Sequence, residues 1–314
     1  MTGSDAAVDV TYERLRTSRL AAKVRRDVHL MPLTTYRVGG PARLLIEVSS
    51  TGDLADLAAI TSETGVETVV IGRGSNLLVA DEGFDGLAVV MGSDLAATTI
   101  DGTMVSAGGA ALLPVVARLT ARSGLTGFEW AVGVPGSIGG AVKMNAGGHG
   151  SDMAACLVDA DVINLHTAAC DRRSLAALDL SYRHSSITAV EVVTGARLVL
   201  ATGDAEQSLE ELAEVVRWRR ENQPGGQNAG SVFTNPEGLS AGQLIEQAGA
   251  KGLRIGTAEV STKHANFIQS DEGGRACDVV ALMAEVRRRV RDTHGIDLTP
   301  ETHLIGFAET REAT

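Results

Sequence analysis

The stretch Gly127-Phe-Glu-Trp-Ala-Val-Gly-Val-Pro-Gly-Ser-Ile-Gly-Gly-Ala-Val-Lys-Met-Asn-Ala-Gly147 is an apolar run that glycines interrupt repeatedly. A chain keeps glycine where the backbone must turn with a positive φ or lie against a ligand. Small residues around Pro135 and Ser137 leave several peptide N–H groups able to point outward. The pattern indicates a surface for a phosphate or a flat heterocycle, or else a tight turn between two buried strands.

A second loop of the same character lies upstream. The segment Gly72-Arg-Gly-Ser-Asn76 directly follows the predicted strand 68–71. Its glycines allow a sharp bend, and its N–H groups suit an anion such as a pyrophosphate. The spacing differs from the G-x-G-x-x-G nucleotide motif, because Leu77 stands where the third glycine belongs. The two loops together predict a dinucleotide held between two glycine-lined surfaces.

Length and charge limit the class of protein. A chain of 314 residues exceeds the size at which single cores stop growing, so two or three domains are expected. The net charge of −11 argues against nucleic-acid binding. No apolar run approaches the roughly 18 residues that a membrane span needs. The segment 1–9 lacks the basic start of a signal peptide.

The cysteines give no sign of a disulfide framework or a metal site. Cys156, Cys170 and Cys277 are odd in number and widely spaced, and no C-x-x-C motif is present. We therefore expect no bound metal and a reducing, cytoplasmic location.

Local patterns predict a chain of mixed helices and strands. The strand 44–48, the helix 53–64 with Asp53 as its N-cap, and the strand 68–71 form a predicted parallel unit. A polar-rich helix is predicted over 11–27. The Pro/Gly sequence at 223–226 is the main candidate domain boundary.

Four polar positions in the second half are candidates for chemistry. Arg183, at the end of a predicted strand, could clamp a carboxylate or lie in a surface turn. Ser231 follows a glycine and could donate a proton or cap a turn. The segment 263–266 concentrates polar groups in an apolar stretch, which favours binding. Glu301, considered by itself, is a surface residue.

These segments occur together in an order that resembles the UDP-N-acetylenolpyruvoylglucosamine reductases. Each motif is ordinary by itself, but the ordered set is specific and covers positions 33–306. The matching segments are 35–41, 72–79, 127–150, 182–185, 223–224, 229–236, 241–252, 261–268 and 300–306.

The resemblance implies an α+β fold with a two-part FAD-binding domain of the vanillyl-alcohol-oxidase (PCMH) type, followed by a smaller α+β substrate-binding domain. The expected bounds are 1–28 for an N-terminal helical extension, 29–222 for the FAD-binding domain (subdomains 29–95 and 96–222) and 223–314 for the substrate domain. It also implies noncovalent FAD, with NADPH as the reductant. Hydride would pass through the flavin to the β-carbon of an enolpyruvyl group.

The resemblance also assigns roles to particular residues. Arg183 and Glu301 would stabilise the charge that develops on the substrate, and Ser231 would protonate the α-carbon. The implied cofactor-binding residues are Tyr36, Arg37, Gly72, Arg73, Gly74, Ser75, Asn76, Leu77, Gly133, Val134, Pro135, Gly136, Ser137, Gly139, Gly140, Asn145, Ala146 and Gly147. The implied substrate-binding residues are Tyr182, Arg220, Asn235, Lys263 and Asn266.

Three positions depart from the family pattern. Thr234 stands where a lysine is frequent, His303 where an arginine is frequent, and His149 replaces a small or aromatic residue. These departures leave the implied chemistry intact but put the diphosphate contacts in doubt. The short interval between Ser231 and Glu301 resembles the shorter subclass of the family.

Other functions remain open at this point. One is a reductase of a related enoyl sugar nucleotide in a specialised pathway. Others are a flavin oxidase, which commonly attaches FAD through a histidine that 72–76 lacks, or a non-catalytic flavin-binding protein. We expect a small-molecule substrate, no nucleic-acid or membrane partner, and a monomer.

Overall fold

The computed structural model describes residues 3–307, with side chains from residue 5, as two compact units. The first consists of 3–26, Leu44–Arg73 and Gly86–Arg219, and the second of Asp27–Arg43, Gly74–Asp85 and 220–307. Each unit is therefore assembled from separate segments. The domain bounds predicted above remain predictions, and their ends at 1–2 and 308–314 lie outside the described residues.

The elements are as follows. The α-helices are α1 Gly3–Arg16, α2 Thr51–Thr64, α3 Leu113–Arg122, α4 Ile138–Met144, α5 Leu175–Leu178, α6 Ala205–Asn222, α7 Ala241–Gln247 and α8 Ala276–His294. The β-strands are β1 Val24–His29, β2 Pro41–Val48, β3 Thr68–Ile71, β4 Leu77–Val79, β5 Phe84–Met91, β6 Thr98–Asp101, β7 Met104–Gly108, β8 Leu125–Thr126, β9 Gly147–Gly148, β10 Ser151–Asp152, β11 Leu157–Asn164, β12 Cys170–Ser174, β13 Glu191–Val199, β14 Ala201–Thr202, β15 Arg254–Ile255, β16 Ala258–Val260, β17 Ile268–Ser270 and β18 His303–Ile305.

The first unit contains two hydrophobic cores. A four-stranded sheet, in the order β1-β2-β5-β3, contributes Leu44, Ile46 and Val89 to one core, where they meet Leu54 and Leu57 of α2. Strands β3 and β5 are parallel. The predicted parallel unit joined the strands 44–48 and 68–71, but β5 lies between β2 and β3, so these two strands are not neighbours in the sheet.

The second core of this unit lies on a five-stranded antiparallel sheet. Its order is β12-β11-β13-β7-β6. Val105 and Leu198 from the sheet pack with Val116 of α3 and Ile138 of α4. Two cores in one unit, each with helices on a sheet, confirm the predicted α+β class.

Two local predictions in this unit need correction. The helix predicted over 11–27 ends at Arg16. The Ser18 hydroxyl donates to the Leu15 carbonyl at 2.8 Å and accepts from the Leu20 N–H at 3.0 Å. These bonds compete with helical bonding of the backbone. Helix α2 begins two residues earlier than predicted, and its N-cap is Ser50, which accepts from the N–H of Asp53 at 3.0 Å.

The second unit has a single hydrophobic core with contributions from all three of its segments. Tyr36 and Leu78, from the short segments, are fully buried beside Phe233 and Leu282. The carboxylate of Asp81 accepts from the first N–H groups of α8, at 2.7 and 3.0 Å, and so caps that helix. Strand β18 pairs in parallel with β4, and β15-β16-β17 form a small antiparallel sheet.

The helices of the described residues are all too short or too polar to cross a membrane. The three cysteines are free thiols, and Cys156 is buried.

A buried ion pair joins β12 to the start of β13. The carboxylate of Glu191, which is 5% exposed, accepts from the Arg173 guanidinium at 2.5 Å and from the Thr188 N–H at 2.8 Å. Burial alone would raise the pKa of Glu191, but these hydrogen bonds lower it to about 2. Because the folded pKa lies below the ordinary value of 4.5, the pair stabilises the fold most fully above that pH.

We predict that Glu191→Gln lowers the free energy of unfolding at neutral pH by about 2–3 kcal/mol, since the partly buried Arg173 guanidinium loses its buried partner and keeps only the exposed Asp171. The difference from wild type should shrink as the pH falls from 4.5 towards 2. Urea unfolding at several pH values measures this. Asp161→Asn, which breaks an exposed pair with Arg172, serves as the control and should cost less than about 1 kcal/mol. Equal losses for both variants would contradict the prediction.

Candidate active site

The glycine-rich stretch 127–147 folds into a short 3-10 turn, an extended segment and helix α4. Ser137 caps α4 by accepting from the N–H of Gly140 at 3.4 Å, and Asn145 ends the helix in the left-handed region. A Cβ at Gly139 would come within 3.0 Å of the Val193 carbonyl oxygen, so this glycine lets α4 pack on β13. The exposed Gly140 differs, because a Cβ there would meet only Ser137 Oγ, at 3.6 Å.

The first residue of the upstream glycine loop lies against the glycine-rich stretch 127–147 in the first unit. A Cβ built on Gly72 would lie 2.7 Å from Ser137 Oγ. Gly72 is exposed, and Ser137 is 3% exposed. Within the first unit, Gly72 therefore lies directly against the N-cap of α4.

The rest of the first loop belongs to the second unit. Gly74 has a φ of +59°, and a Cβ there would overlap the Leu33 carbonyl, so only glycine fits. Within residues 3–307, no acceptor receives a hydrogen bond from the main-chain N–H groups of Gly74, Ser75 and Asn76. Three neighbouring free donors without bulky side chains suit a phosphate group.

Tyr36 and Arg37 lie in the second unit, near the start of its chain path. Tyr36 is fully buried, which raises the pKa of its phenol, and its hydroxyl has no partner among the described residues. Arg37 is exposed and has a φ of +52°, with its N–H bonded to Thr34 Oγ1 at 3.2 Å.

Asn145 is occupied by bonds within the protein. Its side-chain amide donates to Asp152 Oδ2 at 3.1 Å and to the Ser181 carbonyl at 2.9 Å, and its oxygen accepts from the Ala154 N–H at 3.0 Å. The side chain therefore connects the end of the glycine-rich stretch to the turn that carries Arg183.

Arg183 occupies a strained turn of the first unit. Ser181 and His184 exchange two main-chain hydrogen bonds of 3.1 Å, so Tyr182 and Arg183 form a two-residue hairpin loop. Arg183 has a φ of +57°. The left-handed conformation costs a residue other than glycine roughly 1–2 kcal/mol. The Arg183 guanidinium donates to the Gly147 carbonyl at 3.1 Å and lies 5.1 Å from the centre of the Tyr182 ring. Strain of this kind is typical of functional positions.

Ser231 and Glu301 are neighbours in the second unit. The Glu301 N–H donates to the carbonyl of Val232 at 2.7 Å. The Ser231 hydroxyl makes no hydrogen bond to any described residue and is only partly buried. The structure thus brings these two predicted catalytic residues together, whereas Arg183 belongs to the first unit.

Asn266 holds the segment that carries Ser231. Its side chain accepts from the Phe233 N–H at 3.0 Å and donates to the Phe233 carbonyl at 2.8 Å, and it is 3% exposed. Its own carbonyl accepts from the Val232 N–H at 2.9 Å. Both functional groups of this predicted substrate ligand are therefore used inside the protein.

The other predicted substrate-binding residues are more accessible. The Lys263 ammonium donates to the main-chain carbonyl of Arg220, so these two positions lie together in the second unit. Asn235 accepts from the Ala241 N–H at 3.0 Å, at the start of α7. Tyr182 is 55% exposed.

Arg219 is not among the residues that the sequence patterns predicted for the site. A Cβ on Gly133 would lie 3.1 Å from Arg219 Cδ and 3.6 Å from its Nη1, so the side chain lies against the glycine-rich stretch. Burial lowers its pKa, and no acidic partner pairs with it in the described part of the chain. A usable signal exists, because Arg219 follows the buried Leu212 and Val215 at helical spacing on α6.

His149 lies close to the same arginine. Its ring packs edge-to-face on Trp218, with 5.0 Å between the ring centres. Burial lowers the pKa of His149, and the nearby Arg219 charge lowers it further. Around these residues and elsewhere in 3–307, no three His, Cys, Asp or Glu side chains group as a potential metal site.

Comparison with family models assigns most of the chain. Residues 42–167 match an FAD binding domain, and residues 222–305 match the C-terminal domain of UDP-N-acetylenolpyruvoylglucosamine reductase.

Several similar proteins are named UDP-N-acetylenolpyruvoylglucosamine reductase. UDP-N-acetylenolpyruvoylglucosamine reductase from Heliobacterium modesticaldum is 44% identical over 276 residues, which cover 87% of this chain and 88% of that protein. The Bacillus subtilis protein of this name is 38% identical, with 92% and 96% covered. The crystal structure of the reductase from Thermus caldophilus matches with a TM-score of 0.78 and 37% identity, over 90% of this chain and 99% of that one.

We predict that Arg183→Gly is more stable than Arg183→Ala by about 1 kcal/mol, because only glycine relieves the positive φ. Both variants lose the same guanidinium contacts, so alanine is the matched control. Thermal and urea unfolding of the two proteins provide the measurement. Equal stability would mean that the turn around Arg183 is not strained.

Proposed function

Because the chain belongs to the UDP-N-acetylenolpyruvoylglucosamine reductase family, we propose that Arg183, Ser231 and Glu301 perform the chemistry of that reaction. The chain reduces the enolpyruvyl group of UDP-N-acetylglucosamine enolpyruvate to give UDP-N-acetylmuramate for peptidoglycan synthesis. Its cofactor is FAD and its reductant is NADPH. The observation that carries the proposal is the Ser231 hydroxyl, which bonds to no described residue, next to the segment that carries Glu301.

Bound FAD supplies the hydride chemistry, since it can accept hydride from NADPH and deliver hydride to the β-carbon of the enolpyruvyl group. The protein must then stabilise negative charge on the substrate's carboxylate side and provide one proton. Preorganised charges and donors generally make the largest contribution to such a step.

Ser231 is the proposed proton donor to the α-carbon. Its hydroxyl makes no internal hydrogen bond that would have to be broken first. Asn266 and the Glu301 N–H both bond to the main chain at Val232 and Phe233, so the Ser231 segment is held on two sides. A fixed donor avoids the cost of orienting a mobile one.

Arg183 and Glu301 are the proposed groups that stabilise developing charge. Arg183 would contribute its positive charge, and its backbone strain is the physical sign that the turn is kept for function. Glu301 would act in its protonated form as a hydrogen-bond donor. Leu298, three residues before Glu301, is buried, while Leu304 is 41% exposed.

The residues of the two glycine loops fit the flavin dinucleotide. The free N–H groups at Gly74, Ser75 and Asn76 suit the pyrophosphate, with Gly72, Arg73 and Leu77 beside them. Gly140 is exposed, and packing within the protein does not require a glycine there. A missing side chain at this position suits a surface that contacts a flat ring. Segments 133–137 and 145–147, with Tyr36 and Arg37, complete the proposed cofactor-binding set.

For the substrate, we propose Tyr182, Arg220, Asn235 and Lys263 as direct contacts, with Arg219 as a further cation near the glycine-rich stretch. Asn266 supports the site by holding the segment that carries Ser231, because both of its side-chain groups are bonded to Phe233. The proposal also includes a monomer that works in the cytoplasm, without a nucleic-acid or membrane partner. The free thiols support a reducing compartment, and the net charge of −11 supports the lack of a nucleic-acid partner.

We predict that Gly140→Ala raises the free energy of unfolding of the FAD-free protein by about 0.5–1 kcal/mol, because alanine favours the helix. The same variant should bind FAD at least about tenfold more weakly, since the methyl group occupies cofactor space. Urea unfolding and FAD titration measure the two effects.

Gly52→Ala is the matched control for this pair of effects. A Cβ at Gly52 of α2 also meets only the hydroxyl of its N-cap serine, Ser50, at 3.6 Å. It should stabilise the fold to a similar extent and leave FAD affinity unchanged. If Gly140→Ala bound FAD as wild type does, this helix would not contact the cofactor.

We predict that Ser231→Ala retains reduction of the flavin by NADPH but loses turnover by about 100-fold or more, the usual contribution of a positioned acid. Stability should not change, because the hydroxyl bonds to no described residue. Stopped-flow absorbance of the flavin and product formation measure the two rates. Turnover within about tenfold of wild type would exclude Ser231 as the proton donor.

A further inference from the structure

Asn76 connects the first glycine loop to the residue proposed as the acid. Its side-chain amide donates a 3.0 Å hydrogen bond to the main-chain carbonyl of Glu301. Its main-chain carbonyl accepts from the N–H of His303, also at 3.0 Å. Asn76 therefore bonds to the chain on both sides of Thr302.

These bonds fix the main chain of Glu301 from two directions. Its N–H donates to Val232, the residue after Ser231, and its carbonyl accepts from Asn76. All of these residues belong to the second unit. The backbone that carries the acid is thus placed by the serine segment on one side and by the glycine loop on the other.

The pairing of β4 with β18 begins at His303 and therefore does not include Glu301. Strands β4 and β18 are in register from Leu77 opposite His303 to Val79 opposite Ile305. The pairing continues through the Ala80 N–H, which donates to Ile305 at 2.8 Å. In the direction of Glu301, the Asn76 side chain provides the contact that extends this register to the acid.

We propose that Asn76 is a positioning residue for Glu301, through which the conformation of the glycine loop 72–76 sets the placement of the acid. The loop presents free N–H groups at Gly74, Ser75 and Asn76 beside this bond. A phosphate held there restricts the loop, and the restriction passes to the Glu301 backbone. The proposal rests on the proposed function for the role of Glu301, while the bond itself is independent of that role.

The test variant is Asn76→Asp, which keeps the size of the side chain but replaces its donor with an oxygen facing the Glu301 carbonyl. Hydrogen–deuterium exchange of the peptide 300–306 is measured first without FAD. We expect exchange about fivefold or more faster than in wild type, as for loss of one neutral hydrogen bond. Added FAD should slow this exchange in wild type and have less effect in the variant.

Gln269→Glu is the matched control for the exchange measurement. Gln269 also donates its amide to a main-chain carbonyl of the second unit, that of Gly225, at 2.8 Å. The same change from amide to carboxylate there should leave exchange at 300–306 as in wild type. Unchanged exchange at 300–306 in Asn76→Asp, or an equal increase in both variants, would overturn the proposal.

The second readout compares the two half-reactions of the FAD-loaded protein. For Asn76→Asp, the ratio of flavin reoxidation by substrate to flavin reduction by NADPH should fall about tenfold or more, because misplacing a reacting group by a small distance has large effects. An equal fall in both rates would overturn the proposal. If the variant retains too little FAD, the exchange result decides.

Glu301→Gln separates this proposal from the one on which it rests. If that variant reoxidises its flavin as fast as wild type, the role proposed for Glu301 is wrong. The exchange data on Asn76→Asp still establish or exclude the connection between the loop and residues 300–306.

Discussion

The parallel pairing of β4 with β18 is the contact on which the second unit depends. It joins Leu77–Val79, from the first third of the chain, to His303–Ile305 near its end. The approach is so close that a Cβ on Gly306, which has a φ of +75°, would overlap the Gly83 carbonyl oxygen. Glycine alone satisfies both the conformation and the space. The loop 72–76 directly precedes β4. Because of this pairing, the same loop can contribute to cofactor binding and to the placement of Glu301.

The sequence was sufficient for elements whose signals are local. The strand 68–71 and the end of α2 at Thr64 agree with the bounds predicted from the apolar pattern. The helix predicted over 11–27 was wrong in its second half. The Ser18 side chain bonds to the backbone there, and the sequence of Val24–His29 has no apolar periodicity that would distinguish a strand from a helix. Pairing between segments far apart along the chain, as between β4 and β18, leaves no local signal at all.

The candidate site shows a similar division. The loop glycines and the set Arg183, Ser231 and Glu301 were predicted from the order of the motifs, and they remain predictions. What motifs do not reveal is the partner of each polar group. Asn145 and Asn266 have the composition of ligand-binding residues, yet their side chains bond to neighbouring backbone. Arg219 was not predicted, although its neighbour Arg220 was. Only the helical spacing from the buried Leu212 and Val215 shows which of these two arginines faces the interior.

The shared core of the second unit has a consequence for how the protein is made. Tyr36, Val38 and Leu78 leave the ribosome early, but the residues that bury them, from Phe233 to Leu298, follow only in the last third of the chain. During synthesis these early side chains therefore lack most of the residues that bury them in the finished core. The segments 27–43 and 74–85 cannot reach their native packing until the end of the chain has been made. Such long-range closure is slow and exposes apolar surface in the meantime. A fragment that begins at the 223–226 boundary would lack Tyr36, Val38 and Leu78, so its share of this core would remain incompletely buried.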